Sequence, residues 1–181
     1  MTILDHGIYG AASTQTGGGE GVLVPVYRLF AGPLSYDGSD GTFTDYNGNL
    51  WNHMGPYAAD GQTYFAGGGY TNYENPEDGT VDFYIYEGER YWNIGTGQRG
   101  TVTLPVDSGK FYTVIFHMAE TYHWNGGSRI FNVYINGSMV LQNYDIAALY
   151  GRRYCATEKF TDISVGGTGE IVLEFENTGV D

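Results

Sequence analysis

The sequence predicts an all-β fold, a two-sheet antiparallel β-sandwich of the jelly-roll type, in a single domain. One observation is composition: the 181 residues include 29 glycines and 17 tyrosines but eight lysines and arginines together. That balance is unlike a helical protein, because long charged side chains dominate helix surfaces. A second is that apolar side chains recur with a period of two, and a third is that turn signals follow one another every 8 to 12 residues.

The strand pattern is clearest in five segments. Inward and outward side chains alternate in residues 81–86, 101–106 and 171–176, which is typical of strands with one buried face. Residues 111–118 and 130–135 are apolar or aromatic at nearly every position. Such runs indicate strands that are covered on both sides. We therefore expect these two segments at the centre of the sheets.

Turn signals separate these strands. Asn47-Gly48 and Asn136-Gly137 favour the positive φ angles of tight hairpins, and Asp107-Ser108-Gly109 does the same before residue 111, so antiparallel connections are predicted. One helical turn is expected at 145–150. Residues 36–73 are rich in glycine, aspartate and asparagine, which predicts long loops at one end of the sandwich.

The first 25 residues predict an extended N-terminal arm and a glycine-rich hinge, followed by the sandwich domain at 26–181. The arm's larger apolar groups, Ile3, Leu4, Ile8 and Tyr9, are expected to be buried against a protein partner. This interpretation favours anchoring to other subunits of a phage or virus particle, as in a capsid decoration or tail-fibre protein. The alternative is a disordered leader.

Charge and cysteine content exclude several function classes. The formal net charge of -13 repels a phosphate backbone or an anionic membrane, so neither is expected as a partner. The single cysteine, Cys155, excludes an intrachain disulfide and a cysteine-based zinc cluster, and we expect it to be a small half-buried residue. No signal-peptide n-region and no 18-residue apolar run is visible. No cofactor is expected.

Two clusters of planar side chains are the candidate functional residues. Each follows a predicted strand with a carboxylate and then two or three rings, within residues 87–93 and 119–125. A ring face stacks on the C–H face of a pyranose while neighbouring polar groups bind its hydroxyls, and a neutral sugar needs no basic patch. The alternative is that these rings cover sheet edges. The predicted glycan-binding residues in these clusters are Glu89, Arg90, Tyr91, Trp92, Glu120, Tyr122, His123 and Trp124.

Several short motifs in fixed order resemble malectin and malectin-like carbohydrate-binding modules over about residues 26–176. The most specific are Glu-Arg-Tyr at 89–91, Phe-x-Met-Ala-Glu-x-Tyr at 116–122, Arg-x-Phe-x-Val-x-Ile-Asn-Gly at 129–137, and Asp-Ile at 145–146. The resemblance implies a non-catalytic jelly roll that binds a glucose-type disaccharide.

By position, the resemblance makes Tyr70, Tyr91 and Tyr122 the stacking tyrosines. His123 departs from the family pattern, which has phenylalanine there, and the family's closing Asp-Asn-Pro-Lys-like turn has no counterpart. The predicted function is glycan binding on a virion surface or an extracellular assembly. A purely structural virion role remains an alternative.

Catalysis and metal binding are weaker alternatives. Glu87, Glu89 and Glu120 lie near the proposed site, as a glycoside hydrolase would require of two carboxylates, but an ion pair or a loop-anchoring hydrogen bond explains them more simply. His117 and His123 are about 20 Å apart on an extended strand, too far to share a metal unless the chain turns between them. Calcium ligation remains open for the loop aspartates, for which turn formation is favoured. These are Asp37, Asp40 and Asp45.

Overall fold

The protein is an all-β sandwich, as the sequence predicts. The computed structural model describes residues 4–5, 8–13, 24–31, 41–45, 47–58, 62–65, 86 and 88–180. The strands in these residues are β1 (Leu4–Asp5), β2 (Ile8–Ser13), β3 (Val24–Phe30), β4 (Thr42–Thr44), β5 (Leu50–His53), β6 (Gln62–Phe65), β7 (Gly88–Tyr91), β8 (Arg99–Pro105), β9 (Phe111–Met118), β10 (Ile130–Ile135), β11 (Ser138–Tyr144), β12 (Ala156–Ser164) and β13 (Glu170–Val180).

The described strands form two large sheets and one small one. The six-stranded sheet has the order β12-β9-β2-β3-β5-β4, the four-stranded sheet β11-β10-β13-β8, and the small sheet β1-β7-β6. A 3₁₀ turn at Gly55–Tyr57 and helix α1 at Ile146–Leu149 interrupt the strands. None of the helices in the described residues has the length and apolar character that a membrane span needs.

The core lies between the two large sheets. Phe116 of β9 meets Phe175 of β13 edge to face, with ring centroids 5.9 Å apart. Trp92, from the segment between β7 and β8, stacks on the same Phe175 ring at 5.9 Å and an interplanar angle of 15°. The alternating residues Val102 and Leu104 of β8 are also buried in this core. Apolar residues therefore alternate in β8 and β13 because one face of each strand packs into the same core.

The two apolar runs lie at interior positions of the sheets, as predicted. β9 is bonded to β12 on one side and β2 on the other, and β10 lies between β11 and β13. The far side of β9 is also covered, because His117 is fully buried and its ring packs edge to face against those of Trp51 and Tyr86. The ring centroids are 6.0 Å apart in each pair.

The predicted hairpin turns are confirmed at two positions and wrong at a third. Asn47-Gly48 joins the antiparallel strands β4 and β5, and Asn136-Gly137 joins β10 and β11 with φ angles of 50° and 77°. Gly109 also has a positive φ, 72°, but its turn joins β8 in one large sheet to β9 in the other. One described pair, β3 with β5, is parallel.

The N-terminal prediction is wrong for residues 8–13. β2 lies between β3 and β9, pairing Tyr9 with Arg28 and Ile115, and β1 pairs with β7. Both edges of β2 are hydrogen-bonded, so it is an interior strand of this domain and not an arm that reaches a partner. Ile3 lies outside the described residues, as do the side chains of Leu4, Ile8 and Tyr9.

The loop prediction for residues 36–73 is also wrong where the structure describes it, because β4, β5 and β6 fall within that range. Weak apolar alternation hides these short strands, since each has three or four residues. The predicted strand at 81–85 lies outside the described residues. The helical turn predicted at 145–150 is confirmed as α1.

Replacing Gly100 by alanine should destabilise the domain by about 1–3 kcal/mol, because overpacking a filled core forces side chains and backbone to shift. A Cβ at this position would lie 2.1 Å from Cδ2 of Trp92. The free energy of unfolding, measured by urea titration, tests this. Gly167→Ala is the matched control, since a Cβ there meets nothing within 4 Å. Equal losses in the two variants would contradict the packing argument.

Candidate functional site

The candidate site lies at the end of the sandwich where β9 stops and β12 starts. Ala156 pairs with Met118, and beyond these strands Glu120 forms a parallel bridge with Arg152. The loop after β9 and the segment before β12 therefore run side by side. We call residues 120–129 and 145–155 the aromatic end.

Glu120 anchors the loop of the aromatic end. Its side chain is buried, and Oε1 accepts hydrogen bonds from the backbone N–H groups of Tyr122 (2.8 Å) and His123 (2.9 Å). Its Oε2 lies 2.8 Å from Nη1 of Arg129, itself buried. The Glu120 carbonyl accepts from the N–H of Arg153 at 2.7 Å. One residue thus fixes the start of the loop, its far side and the neighbouring segment.

Asp145 joins the same loop to α1. As the N-cap of the helix, it accepts a hydrogen bond from the N–H of Ala148 on Oδ1 and one from the N–H of Gly127 on Oδ2. Gly126 lies so close to Ala148 that a Cβ there would be 2.6 Å from the alanine Cβ. The loop therefore rests on the helix through a contact that needs glycine.

This framework displays two large rings to solvent. Tyr122 is 72% exposed and Trp124 is 76% exposed. His123, which lies between them in the sequence, is half-buried. Its ring packs edge to face on the Tyr122 ring, with the ring centroids 5.0 Å apart. Arg152 lies against Trp124, with its Cζ 4.0 Å from the ring centroid. Leu149, Tyr150 and Tyr154 add further exposed apolar surface at the same end.

A partly buried hydrogen-bond network around Glu158 attaches the chain on either side of α1 to β12. Glu158 of β12 accepts hydrogen bonds on Oε1 from the hydroxyls of Tyr144 (2.7 Å) and Tyr150 (2.9 Å). Burial, together with these contacts to Glu158, raises the pKa of both phenols, so both stay protonated and donate at neutral pH. The helix is thereby attached to the edge of the six-stranded sheet.

Three of the predicted glycan-binding residues are buried and do not face solvent. Trp92 is 3% exposed, because its ring stacks in the core over Gly100. Arg90 is 5% exposed and donates from Nη2 to the carbonyl of Ala58 at 3.1 Å. Glu120 is 1% exposed. Its place is that of the loop-anchoring carboxylate, which was the simpler interpretation.

The other predicted residues are distributed unevenly. Tyr122, His123 and Trp124 come together at the aromatic end. Tyr91 is half-buried at the last position of β7. Glu89 is described as a β7 backbone position opposite Tyr64, and its side chain, like all of Tyr70, lies outside the described residues.

Glu120, a carboxylate considered for glycoside hydrolysis, is fully engaged: both oxygens are in contact with protein donors and it is withdrawn from solvent. His117 and His123 also differ in environment, since His117 bonds through Nδ1 to the Tyr86 hydroxyl inside the domain. Cys155 is half-buried, as expected, and burial raises the pKa of its thiol to about 12 despite a hydrogen bond with Tyr86.

Asp45 forms a turn and not an open cation site. Its Oδ1 accepts from the N–H groups of Asn47 (3.0 Å) and Asn49 (2.8 Å), and its Oδ2 accepts from Asn49 Nδ2 (3.0 Å) and Trp51 Nε1 (2.9 Å). The turn-forming interpretation is thus confirmed for this aspartate. Asp37 and Asp40 lie outside the described residues.

Arg152, Leu149, Tyr150 and Tyr154 are site residues that the sequence analysis missed. The signal available was Arg-Arg-Tyr directly before β12. This signal points to the site only if β12 is known to pair with β9. The β12 strand itself is hard to predict, because apolar and polar residues alternate poorly in this edge strand, whose sequence is Ala-Thr-Glu-Lys-Phe-Thr-Asp-Ile-Ser.

Comparison with known proteins finds a family match and several solved structures with a similar fold. The family described as the Malectin domain matches residues 35–179. The extracellular domains of ANXUR1 and ANXUR2 from Arabidopsis thaliana are similar in structure, with TM-scores of 0.71 and 0.69, each at 19% identity and over 93% of this chain. A chain in the complex of plant peptide RALF23 with FER and LLG2 has a TM-score of 0.65 at 19% identity, over 83% of this chain.

The chain spans about half the length of these solved chains, covering 48%, 49% and 42% of them respectively. At this level of identity the likeness concerns the fold. The sequence has no significant match among curated proteins.

Acid should remove the stabilising contribution of Asp45. Burial alone raises the pKa of this carboxyl, but hydrogen bonds from Trp51, Asn49 and Asn47 lower it by more, so its folded-state pKa is below the usual value. The stabilisation is therefore complete above the ordinary carboxyl pKa of about 4 and is lost as pH falls towards the folded-state pKa.

We expect Asp45→Asn to lower the free energy of unfolding by about 1–3 kcal/mol at pH 7, because an amide N–H₂ would face a donor. The difference from the wild type should shrink below pH 4. Urea titrations at pH 7 and pH 3 measure it. Glu170→Gln, at an exposed carboxylate, is the control. A pH-independent difference would refute the role of the ionised form.

Glu120→Gln should lower the free energy of unfolding by about 3–5 kcal/mol, because it removes the carboxylate charge that lies 2.8 Å from the buried Arg129 guanidinium. Glu174→Gln is the matched control. Its pair with Arg99, at 3.2 Å, is much more exposed and should contribute less than about 1 kcal/mol. Urea titration followed by circular dichroism gives the free energy of unfolding of each variant, and similar losses in the two would contradict the anchoring role of Glu120.

Proposed function

The chain belongs to the malectin domain family, and from that premise we propose that it is a non-catalytic module that binds a glucose-type glycan at the aromatic end. The observation that carries the proposal is the exposure of Tyr122 and Trp124 on a loop whose backbone is anchored by buried charges. Two large exposed rings two residues apart on one anchored loop form an apolar patch of the kind that marks a binding site.

The exposed rings of Tyr122 and Trp124, here called the aromatic platform, can bind a sugar for a physical reason. An aromatic face takes the C–H face of a pyranose by dispersion and exclusion of water, without a formal charge on the ligand. The loop is already held by the Glu120 and Asp145 hydrogen bonds, so binding orders few additional groups. Preorganisation of this kind favours a lectin-type function.

No reaction is included in the proposal. The described carboxylates at the aromatic end, Glu120 and Asp145, accept hydrogen bonds from protein donors, and so does Glu158 of the adjoining strand β12. They are committed to holding loops and helix together. A glycoside hydrolase instead places two carboxyl groups across the scissile bond.

A peptide ligand is the second candidate. A structurally similar chain occurs in a complex with the plant peptide RALF23, and here Leu149, Tyr150 and Tyr154 extend the exposed apolar surface beyond the two rings. Such an extension exceeds the footprint of one sugar ring. Peptide binding that depends on Leu149 and not on Trp124 would favour this candidate.

Display on a phage or virus particle is not part of the proposal. That hypothesis depended on a free N-terminal arm, and β2 pairs on both edges within its own sheet. Extracellular display of the module is retained, because the similar solved structures are extracellular domains.

Tyr122→Ala and Trp124→Ala should each weaken binding of gluco-oligosaccharides about tenfold or more, since losing about 1.4 kcal/mol of stacking corresponds to a factor of ten. Isothermal titration calorimetry with oligosaccharides chosen from a glycan array measures the change. Phe111→Ala is the matched control: its ring is 53% exposed but lies at the opposite end of β9. Unchanged affinity in the first two variants would overturn the proposed site.

A further inference from the structure

Arg152 is held beside the exposed Trp124 ring in a fixed orientation. Its Nε donates a hydrogen bond to the carbonyl of Thr121 at 2.9 Å, and its Cζ lies 4.0 Å from the Trp124 centroid. The side chain is half-buried, so the guanidinium is placed by contacts on two sides. A guanidinium retains four N–H donors on its two terminal nitrogens after Nε is engaged.

The charge of Arg152 has no carboxylate partner among the side chains that the structure describes. Other cations differ: Arg129 pairs with Glu120 at 2.8 Å, and Arg99 pairs with Glu174 at 3.2 Å. In a chain with 21 acidic and eight basic residues, a carboxylate partner is easily supplied. Among the described side chains, Arg152 is therefore a cation beside an exposed ring whose terminal N–H groups remain available to a ligand.

We propose that Arg152 recognises a carboxylate on the bound saccharide, so that the preferred ligand contains a uronic acid residue. This rests on the proposed glycan-binding function. The planar fork of a guanidinium matches a carboxylate with two parallel, charge-assisted hydrogen bonds, which a sugar hydroxyl does not provide.

The overall charge of the protein sharpens this selection. A net charge of -13 repels acidic ligands at long range, but screening reduces that repulsion beyond about 8 Å at physiological salt. A direct contact with Arg152 is shorter than this distance. An acidic sugar is thus disfavoured over most of the surface and favoured beside Trp124.

The chain contains its own optical probe for this contact. Of its three tryptophans, Trp51 and Trp92 are 0% and 3% exposed, whereas Trp124 is 76% exposed. Ligand-dependent changes in tryptophan fluorescence, and in its quenching by acrylamide, therefore report mainly on Trp124.

The experiment compares cellobiose with cellobiouronic acid, in which one hydroxymethyl group is a carboxylate. Both are titrated into the wild type, Arg152→Gln and Arg99→Gln, with fluorescence and calorimetry as readouts. Arg99→Gln is matched because Arg99 also lies over a ring, 3.7 Å from the centroid of Tyr134. We expect about tenfold tighter binding of the acid by the wild type and by Arg99→Gln. In Arg152→Gln the two sugars should bind within about twofold of each other.

Three results would overturn the proposal. Equal affinity of the wild type for both sugars removes the carboxylate preference while leaving glycan binding intact. An equal loss of both sugars in Arg152→Gln assigns Arg152 only to holding Trp124. Binding of neither sugar defeats the proposed function as well. Arg152→Lys, which keeps the charge, should retain part of the preference, and melting curves establish that each variant is folded.

Discussion

The buried carboxylate of Glu120 is the interaction on which the candidate site depends. It accepts two backbone hydrogen bonds at the start of the loop and an ion pair at its far side, while its carbonyl holds the segment before β12. A charge removed from water is costly unless its partners are complete. Glu120 has donors on both carboxylate oxygens, one of them the Arg129 guanidinium, so the loop is anchored while Tyr122 and Trp124 face outward.

Two tryptophans that follow strands have opposite roles, because Trp92 is buried in the core and Trp124 is exposed. Trp92 fills the core because Gly100 leaves room for its indole over Phe175, whereas Trp124 has a guanidinium on one face and solvent on the other. Both follow a strand, and both lie one or two residues after a tyrosine. What separates them is the partner across the sheet, and that partner is distant in sequence.

That difference explains how far sequence reasoning reached. The fold class and the central strands β9 and β10 were predictable because alternation, apolar runs and turn residues are local features of the sequence. The helical turn was also predicted and is present as α1. The six-stranded sheet was not fully predictable: β2 has the weakly apolar sequence Ile-Tyr-Gly-Ala-Ala-Ser, yet it lies between two partners. Of the candidate site, Tyr122, His123 and Trp124 were found, while Arg152 was missed because its place depends on the unrecognised pairing of β12 with β9.

The arrangement separates affinity from selectivity. In the proposed glycan site, the ring faces of Tyr122 and Trp124 would supply contact area that tolerates many sugars, since dispersion and water exclusion have little directional preference. The described carboxylates of the aromatic end are bonded to protein donors and leave no acidic group to choose among ligands. Discrimination must then come from donors at the rim of the platform, and Arg152 is held there by Thr121 and Trp124 with its terminal nitrogens uncommitted among the described side chains. In the proposed function, the rings of Tyr122 and Trp124 would therefore supply affinity and the guanidinium of Arg152 would supply selectivity.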